Sequence, residues 1–415
     1  MTKIKGRVRA IAWLLSLVYF SSYVMRINFT VLIVKVCSEL SRPKEELAVI
    51  VTALTVAYGV GQIICGVLGD KIKPRIMITA GIALAAICNI LFFFTSSVLL
   101  MTVIWGINGF AHAMFWPPIV RIMSLNLNEA EYSFASVRVT WGSSIATILL
   151  YLACPLLLLV MSWRVIMLLC AALGLAIMVV WLIFAPKLFE KKAPIPYTEL
   201  DKTAKASESI KKRAPTYVFL PLALIMVGII MQGALRDGVT TWMPSYLHEV
   251  FSLPEEFSIF ITVILAIFSM ISFTVFDFIN RRFFKDEVFS AGFIFLLAAV
   301  FGVLLYLSNV FGIAIFSILF MSLLVACMHG TNLMLIAIAP KRFKNTGKVA
   351  TYSGIMNACT YVGAAISIYV FSALKDWGTT IIIWAIIAAV ACIICFTAVK
   401  RWRKFRIEFD KTNDK

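Results

Sequence analysis

Charge is what this sequence has least of. Only 14% of its 415 residues are charged, and acid is scarcer than base, with 21 Asp and Glu against 38 Lys and Arg. A soluble chain of this size carries about a quarter of its residues as charges, so an ordinary soluble domain is excluded. Three histidines and nine scattered cysteines give no metal-ligand spacing. No phosphate-binding glycine loop and no nucleophile–base set can be found, so the chain is not expected to be an enzyme or to carry a cofactor. Cys392 and Cys395 form a CxxC, but in an unbroken apolar run, where helix packing explains them better than redox chemistry.

What is present is hydrocarbon, since 61% of the residues are hydrophobic. Runs of about 20 largely uncharged residues are long enough to cross a membrane as helices. Twelve such runs are legible, at roughly 10–34, 47–69, 75–96, 98–120, 132–157, 162–185, 216–247, 257–279, 287–308, 310–339, 349–373 and 377–399. The first is too long for a signal peptide, contains Arg26 and lacks a cleavage site. With the N-terminus inside, 30 of the 38 basic residues fall in cytoplasmic segments. Only Lys35, Arg42, Lys44, Arg164 and Lys375 lie outside, and Arg26, Arg138 and Arg236 lie within spans. This asymmetry predicts both termini in the cytoplasm. It also accounts for the net charge of +17 without nucleic acid, because an anionic lipid surface is partner enough.

Residues 187–215, charged and proline-containing, read as a flexible cytoplasmic linker. They divide the chain into a six-helix bundle at 1–186 and another at 216–400, with a basic cytoplasmic tail at 401–415. The halves echo each other. Arg26 lies 16 residues into the first run and Arg236 lies 20 into the seventh, about one helical turn apart in depth. His112 in the fourth run likewise echoes His329 in the tenth. Twelve transmembrane helices in two pseudo-symmetric bundles are the pattern of a transporter built from repeats. One chain would hold a complete site, so a monomer suffices.

The loop "GVLGDKIKPR" (66–75) follows the second run. Its Gly66 allows close helix approach, and Asp70 can cap or pair in one conformation only; Lys71 and Arg75 complete it. It resembles the signature loop of the major facilitator superfamily, lacking one terminal basic residue. The matching loop of the second half, "FDFINRRFFK" (276–285), keeps Asp277, Arg281 and Arg282 without the glycine. The resemblance implies the major facilitator fold, a multi-pass place in the membrane and transport by alternating access, with these loops as conformational switches.

An arginine at mid-membrane depth costs on the order of 2.5–3.5 kcal/mol on insertion scales. Facing a water-filled cavity it costs less, and its fork suits phosphate or carboxylate. Tyr19, Tyr23 and Arg26 share one helix face; Gln232 and Thr240 flank Arg236, and Tyr58 and Gln62 share a face of the second run. The competing possibility is structural, with Arg236 pairing with Asp237 or with carbonyls. Arg138 could bind substrate or snorkel to the interface. Asn357 and Tyr361 are candidate polar linings, and His112 reads as a hydrogen-bonded structural histidine.

A closer resemblance follows from "YVMRINF" (23–29), "MFWPPIVR" (114–121), "SWRVIM" (162–167), "RDGVTTWMPSYLHE" (236–249) and "APKRFKNTG" (339–347). These are similar to motifs of the organophosphate:phosphate antiporters, the carriers of glycerol 3-phosphate and hexose phosphates, along almost the whole chain. The resemblance implies that Arg26 and Arg236 grip a phosphate, with Tyr19 and Tyr23 lining the site, and a bacterial inner membrane as location. Gln62, Arg138, His329 and Asn357 are further candidate substrate ligands, and Asp237 and His329 are candidate coupling groups.

The departures are specific. Gln62 stands where these carriers have a site lysine, Gly142 where the glycerol-3-phosphate carriers have a histidine, and Asp237 where the residue is uncharged. The site is therefore about two charges less attractive to a phosphate dianion. The expected function is exchange of a phosphate ester for inorganic phosphate. The alternatives are proton- or sodium-coupled symport of a carboxylate or sugar acid, and sensing of a sugar phosphate.

Overall fold

A lipid interior offers no hydrogen bonds, so an apolar run must satisfy its backbone internally, and an isolated run can do this only as a helix. The computed structural model describes residues 5–190, 216–253, 261, 263–372, 374 and 376–410, and no strand occurs among them. The first half contains α1 (Gly6–Leu40), α2 (Lys44–Lys71), α3 (Pro74–Phe93), α4 (Val98–Ala113), α5 (Trp116–Asn126), α6 (Glu129–Leu157) and α7 (Trp163–Ala185). The second contains α8 (Phe219–Phe251), α9 (Val263–Ile279), α10 (Glu287–Val310), α11 (Ala314–Asn332), α12 (Val349–Ser372) and α13 (Trp377–Asp410).

Helices α4 and α5 form a single span interrupted at Met114 and Phe115. The interruption precedes Trp116-Pro117-Pro118, whose prolines sit in the first turn of α5, where a missing N–H costs nothing. Among the described residues eleven segments are long and apolar enough to cross a membrane, and the remaining expected span, 349–373, corresponds to α12. The chain is an all-helical, multi-pass membrane protein.

Local chemistry sets the helix starts. Pro74 opens α3. Asn128 and Glu131 form a reciprocal capping box at α6, Ser162 caps α7, and Asp286 caps α10 through the Val288 and Phe289 N–H groups at 3.1 and 2.9 Å. Asp376, outside the spans, accepts from the Thr379 N–H at 2.6 Å, and the Thr379 hydrogen bonds hold its carboxyl below the usual range.

Burial is inverted relative to a water-soluble fold. Large apolar side chains such as Val60, Phe94, Leu99 and Ile315 are exposed, whereas Asn28, Gln62, Asn89, Asn108, His112 and Gln232 are buried. In water such apolar exposure would drive aggregation; against lipid it is the stable arrangement. Small residues allow close helix crossings. A Cβ at Gly109 of α4 would strike the Leu54 backbone of α2, and one at Gly363 of α12 would strike the Ile230 carbonyl of α8.

The backbone forms two compact units, Met1–Pro215 with Pro340–Ile355, and Thr216–Ala339 with Met356–Lys415. Counting spans put 340–355 in the second bundle; the structure groups it with the first. Arg342 pairs with Glu129 at 2.7 Å, and Asp70 accepts from the Ala350 and Thr351 N–H groups, each at 2.9 Å. These interactions tie the segment to the first unit.

The first ten residues of the expected tail are helical, because α13 runs through to Asp410. Trp402 Nε1 donates to Glu287 at 3.0 Å and Arg403 Nε to Asp286 at 2.7 Å. Arg406 donates to the Lys285 carbonyl at 2.5 Å. Basic and aromatic residues thus dock this stretch on the start of α10. The first four residues of the expected linker, 187–190, belong to the π-helical turn Pro186–Glu190; 191–215 and the tail residues 411–415 lie outside the described residues.

Asp286 both caps α10 and pairs with Arg403. Asp286→Ala should destabilise the purified protein by about 1–2 kcal/mol, mostly through the lost cap. Arg403→Gln should do less, since the Arg403 side chain is 46% exposed and the buried Asp286 carboxylate keeps the Val288 and Phe289 N–H donors. Thermal unfolding in detergent measures both; equal or absent shifts would count against this ranking.

Candidate functional site

In the first unit the site is built on one face of α1. Tyr19, Tyr23 and Arg26 follow one another up the helix, with the tyrosine rings 5.1 Å apart and edge-on. Tyr19 also packs against Trp116 of α5 at 5.2 Å. The Arg26 guanidinium lies 4.2 Å from the Tyr23 ring and 4.9 Å from that of Tyr58 on α2. Aromatic faces attract a cation through their quadrupoles, so the two rings help to hold the Arg26 charge on this face of α1.

Behind Arg26 is a polar network. Asn89 of α3 and Asn108 of α4 both donate to the Met25 carbonyl, each at 3.0 Å. Asn28 donates to Asn89 at 2.6 Å. One turn earlier, Ser22 shares a 3.0 Å hydrogen bond with His112 Nδ1, and the His112 ring stacks on Phe115. A carbonyl can accept two hydrogen bonds, so Met25, immediately before Arg26, is pinned from two other helices. The sequence reading assigned no role to these asparagines, although a lone amide in each of three apolar runs was the available signal.

Gln62 is fully buried, and neither of its amide atoms has a hydrogen-bond partner among the described residues. Such an omission costs about 1–3 kcal/mol per group, so this amide is held short of a partner that it needs. Arg138 of α6 stacks on its own helix neighbours, 3.7 Å from the Phe134 ring and 5.1 Å from that of Trp141.

In the second unit Arg236 and Asp237 form a two-pronged pair, Nε to Oδ1 at 2.6 Å and Nη2 to Oδ2 at 2.9 Å. Thr240 donates to the Arg236 carbonyl at 2.7 Å, four residues before the helix-interior Pro244. One turn before Arg236, Gln232 donates to the Met328 carbonyl of α11 at 3.0 Å. This bond fastens α8 to the residue preceding His329. His329 meets Phe273 edge-on and lies within the fields of both Arg236 and Asp237. Asn357 is buried on α12 and Tyr361 half-buried one turn later.

Of the loop residues, Asp70 also accepts from the Thr351 hydroxyl at 2.6 Å. Its carboxylate therefore sits at the N-terminal end of α12, where backbone N–H groups favour negative charge. Arg121 donates to the Gly69 and Ile72 carbonyls and Arg75 to the Leu182 carbonyl, while Lys71 is exposed. A Cβ on Gly66 would lie 2.9 Å from the Ala350 carbonyl. In the second half Asp277 pairs with Arg281 on its own turn at 2.8 Å. No cluster of His, Cys, Asp and Glu suited to a metal occurs among the described residues.

Helices of this kind are shared by a large family, and the sequence profile described as "Major Facilitator Superfamily" matches residues 15–368. The chain belongs to the major facilitator superfamily. It is similar to the glycerol-3-phosphate transporter of Bacillus subtilis, 27% identical over 371 residues, covering 84% of this chain and 81% of that protein. It is 30% identical to the probable hexose phosphate transport protein of Chlamydia trachomatis over 125 residues, 30% of this chain and 26% of that one. These relatives agree with the resemblance to organophosphate:phosphate antiporters. The Escherichia coli fucose:proton symporter FucP shares the fold, with a TM-score of 0.68 over 95% of this chain and 99% of that one at 15% identity.

Asn89→Ala would leave the buried Asn28 amide and the Met25 carbonyl each short of a partner. It should destabilise the protein by about 2 kcal/mol, whereas Asn126→Ala, which removes only a bond to its own helix carbonyl, should change little. Detergent melting curves of the two variants compare them; equal stabilities would remove the structural role of the Met25 network.

Proposed function

We propose that this member of the superfamily is a secondary active transporter of a small organic anion, exchanging a phosphate ester for inorganic phosphate by alternating access. Arg26 and Arg236 are its anion-binding groups. The observation that carries this reading is the half-buried Arg26 guanidinium, flanked by Tyr23 and Tyr58 on a stretch of α1 pinned at Met25. A permanent charge with a fixed fork, preorganised in a low-dielectric surrounding, is the group that best holds a phosphate or carboxylate. The similarity to carriers of glycerol 3-phosphate and hexose phosphates supports the same substrate class. Tyr19 and Tyr23 line the site in this proposal, and Gln62, Arg138, His329 and Asn357 are further ligands. The loops around Asp70 and Asp277 report the conformational state. The protein works as a monomer in a bacterial inner membrane with both termini in the cytoplasm.

The Arg236–Asp237 pair favours a second reading, in which the cargo is a carboxylate or sugar acid moved with a proton or sodium ion. Asp237 or His329 would then be the coupling group.

Proteoliposomes loaded with inorganic phosphate and given labelled phosphate outside test the first reading. The wild type should exchange, and Arg26→Ala should lower exchange about a hundredfold by removing a charge-assisted, two-pronged contact. Arg26→Lys should be nearly as harmful, because a point charge lacks the fork. Absence of exchange by folded wild-type protein would reject phosphate antiport and transfer support to the coupled carboxylate. Full exchange by Arg26→Ala would reject the arginine assignment.

A further inference from the structure

We infer that the end of the second unit where α9, α10 and α13 meet is a binding site for one anionic phospholipid. Its phosphate is held between Lys285 and Lys400, and its acyl chains lie over Phe289 and Phe396. None of these residues belongs to the transport site proposed above.

Charge is the first observation. Asp277 meets Arg281 at 2.8 Å, Asp286 meets Arg403 at 2.7 Å, Glu287 meets Arg406 at 3.7 Å and Glu408 meets Lys404 at 3.8 Å. Each of these acids thus has a cation of the same end of the unit. Arg282, Lys285, Lys400 and Arg401 are exposed and pair with no acid among the described residues. They leave an excess of positive charge just where α13 emerges from its apolar span.

Placement is the second. Lys285 has φ 52°, a left-handed conformation uncommon for a residue with a side chain. Its N–H donates to the Asn280 carbonyl at 2.6 Å, and its own carbonyl accepts from Arg406 at 2.5 Å, so this lysine is fixed at the turn into α10. On α13, Phe396, Lys400 and Arg403 share one face by helical spacing. Lys285 directly precedes Asp286 and Lys400 lies one turn before Arg403, so the Asp286–Arg403 pair brings both lysines to one seam. Between them is an aromatic floor. The Phe289 ring lies 4.9 Å from Phe284, 5.3 Å from Phe396 and 5.4 Å from the Arg403 guanidinium. A Cβ on Gly292 would come within 3.1 Å of the Phe396 ring, so the glycine lets that ring lie against α10.

The third is the apolar path that leads away from these charges. Ile393 and Phe396 of α13, and Leu296 and Val300 of α10, are exposed farther into the two spans, where lipid is their surrounding. A free anion would use the lysines alone. A ligand with an anionic head and hydrocarbon tails uses the lysines, the aromatic floor and the path together. Lysine binds phosphate as a point charge, and basic residues at the ends of spans attract anionic headgroups.

The test is titration of the purified full-length protein in detergent with dioleoyl phosphatidylglycerol or dioleoyl phosphatidylcholine, with bound lipid counted by native mass spectrometry. The wild type should hold one phosphatidylglycerol above all others, at least about tenfold more tightly than phosphatidylcholine. Lys285→Gln and Lys400→Gln, both at exposed positions, should each weaken that lipid about fivefold, and the double variant about twenty-five-fold. Phosphatidylcholine should be unmoved by these changes. Phe396→Ala should weaken both lipids. Arg9→Gln, which removes the same charge from an exposed position on the first unit, should leave the bound phosphatidylglycerol as tight as before. Equal wild-type affinity for the two lipids, or an Arg9→Gln as harmful as Lys285→Gln, would overturn the proposal. Unchanged binding by the double lysine variant or by Phe396→Ala would do the same. Displacement of the lipid by inorganic phosphate would show a site for free anions and would also overturn it.

Discussion

Within hydrocarbon no polar group can turn to water for a partner, and the whole structure answers to that constraint. It makes every long run a helix, since a helix satisfies its own backbone. It also governs the side chains, because an amide, hydroxyl or charge inside a span costs free energy unless it finds a partner inside the protein. The buried asparagines illustrate this. Asn89 donates to the Met25 and Ala85 carbonyls and accepts from Asn28, so one side chain links α1 and α3 at the level of Arg26. Gln232 has the corresponding part in the second unit, linking α8 to α11 through the Met328 carbonyl.

The same constraint explains how much could be read from sequence. Apolar length and the distribution of lysine and arginine are local properties, so the number of spans and their approximate edges were legible from single runs. The break between α4 and α5 was foreshadowed by Trp116-Pro117-Pro118. Tertiary ties were not legible, because each partner lies in a different run. Nothing around Arg342 announces Glu129, and nothing in "KRWRKFRIEFD" announces that Trp402, Arg403 and Arg406 dock on Asp286, Glu287 and Lys285. Span counting therefore left 340–355 in the second bundle, where the packing groups it with the first, and did not foresee that the last helix continues to Asp410.

The candidate site residues divide along the same line. Arg26, Tyr19 and Tyr23 share a face by helical spacing alone, and the structure adds Tyr58 from α2 and the pinned Met25 carbonyl. A charge in an apolar span is conspicuous in a sequence; the amides that position it are less so, because asparagine is unremarkable until its partner is known. Gln62 shows the converse. Its position on the Tyr58 face was legible, while its burial without a hydrogen-bond partner emerges only from the surrounding helices.

Electrostatics then decides what such a site can hold. An arginine inside the membrane has two ways to lower its cost, an internal acid or a diffusing anion. The first unit holds Arg26 with aromatic faces, which add no negative charge. The second sets a carboxylate directly beside Arg236. An acid partner meets the charge with an opposite one, whereas aromatic faces attract it through their quadrupoles, so the two units lower the cost of a membrane arginine by different physical means.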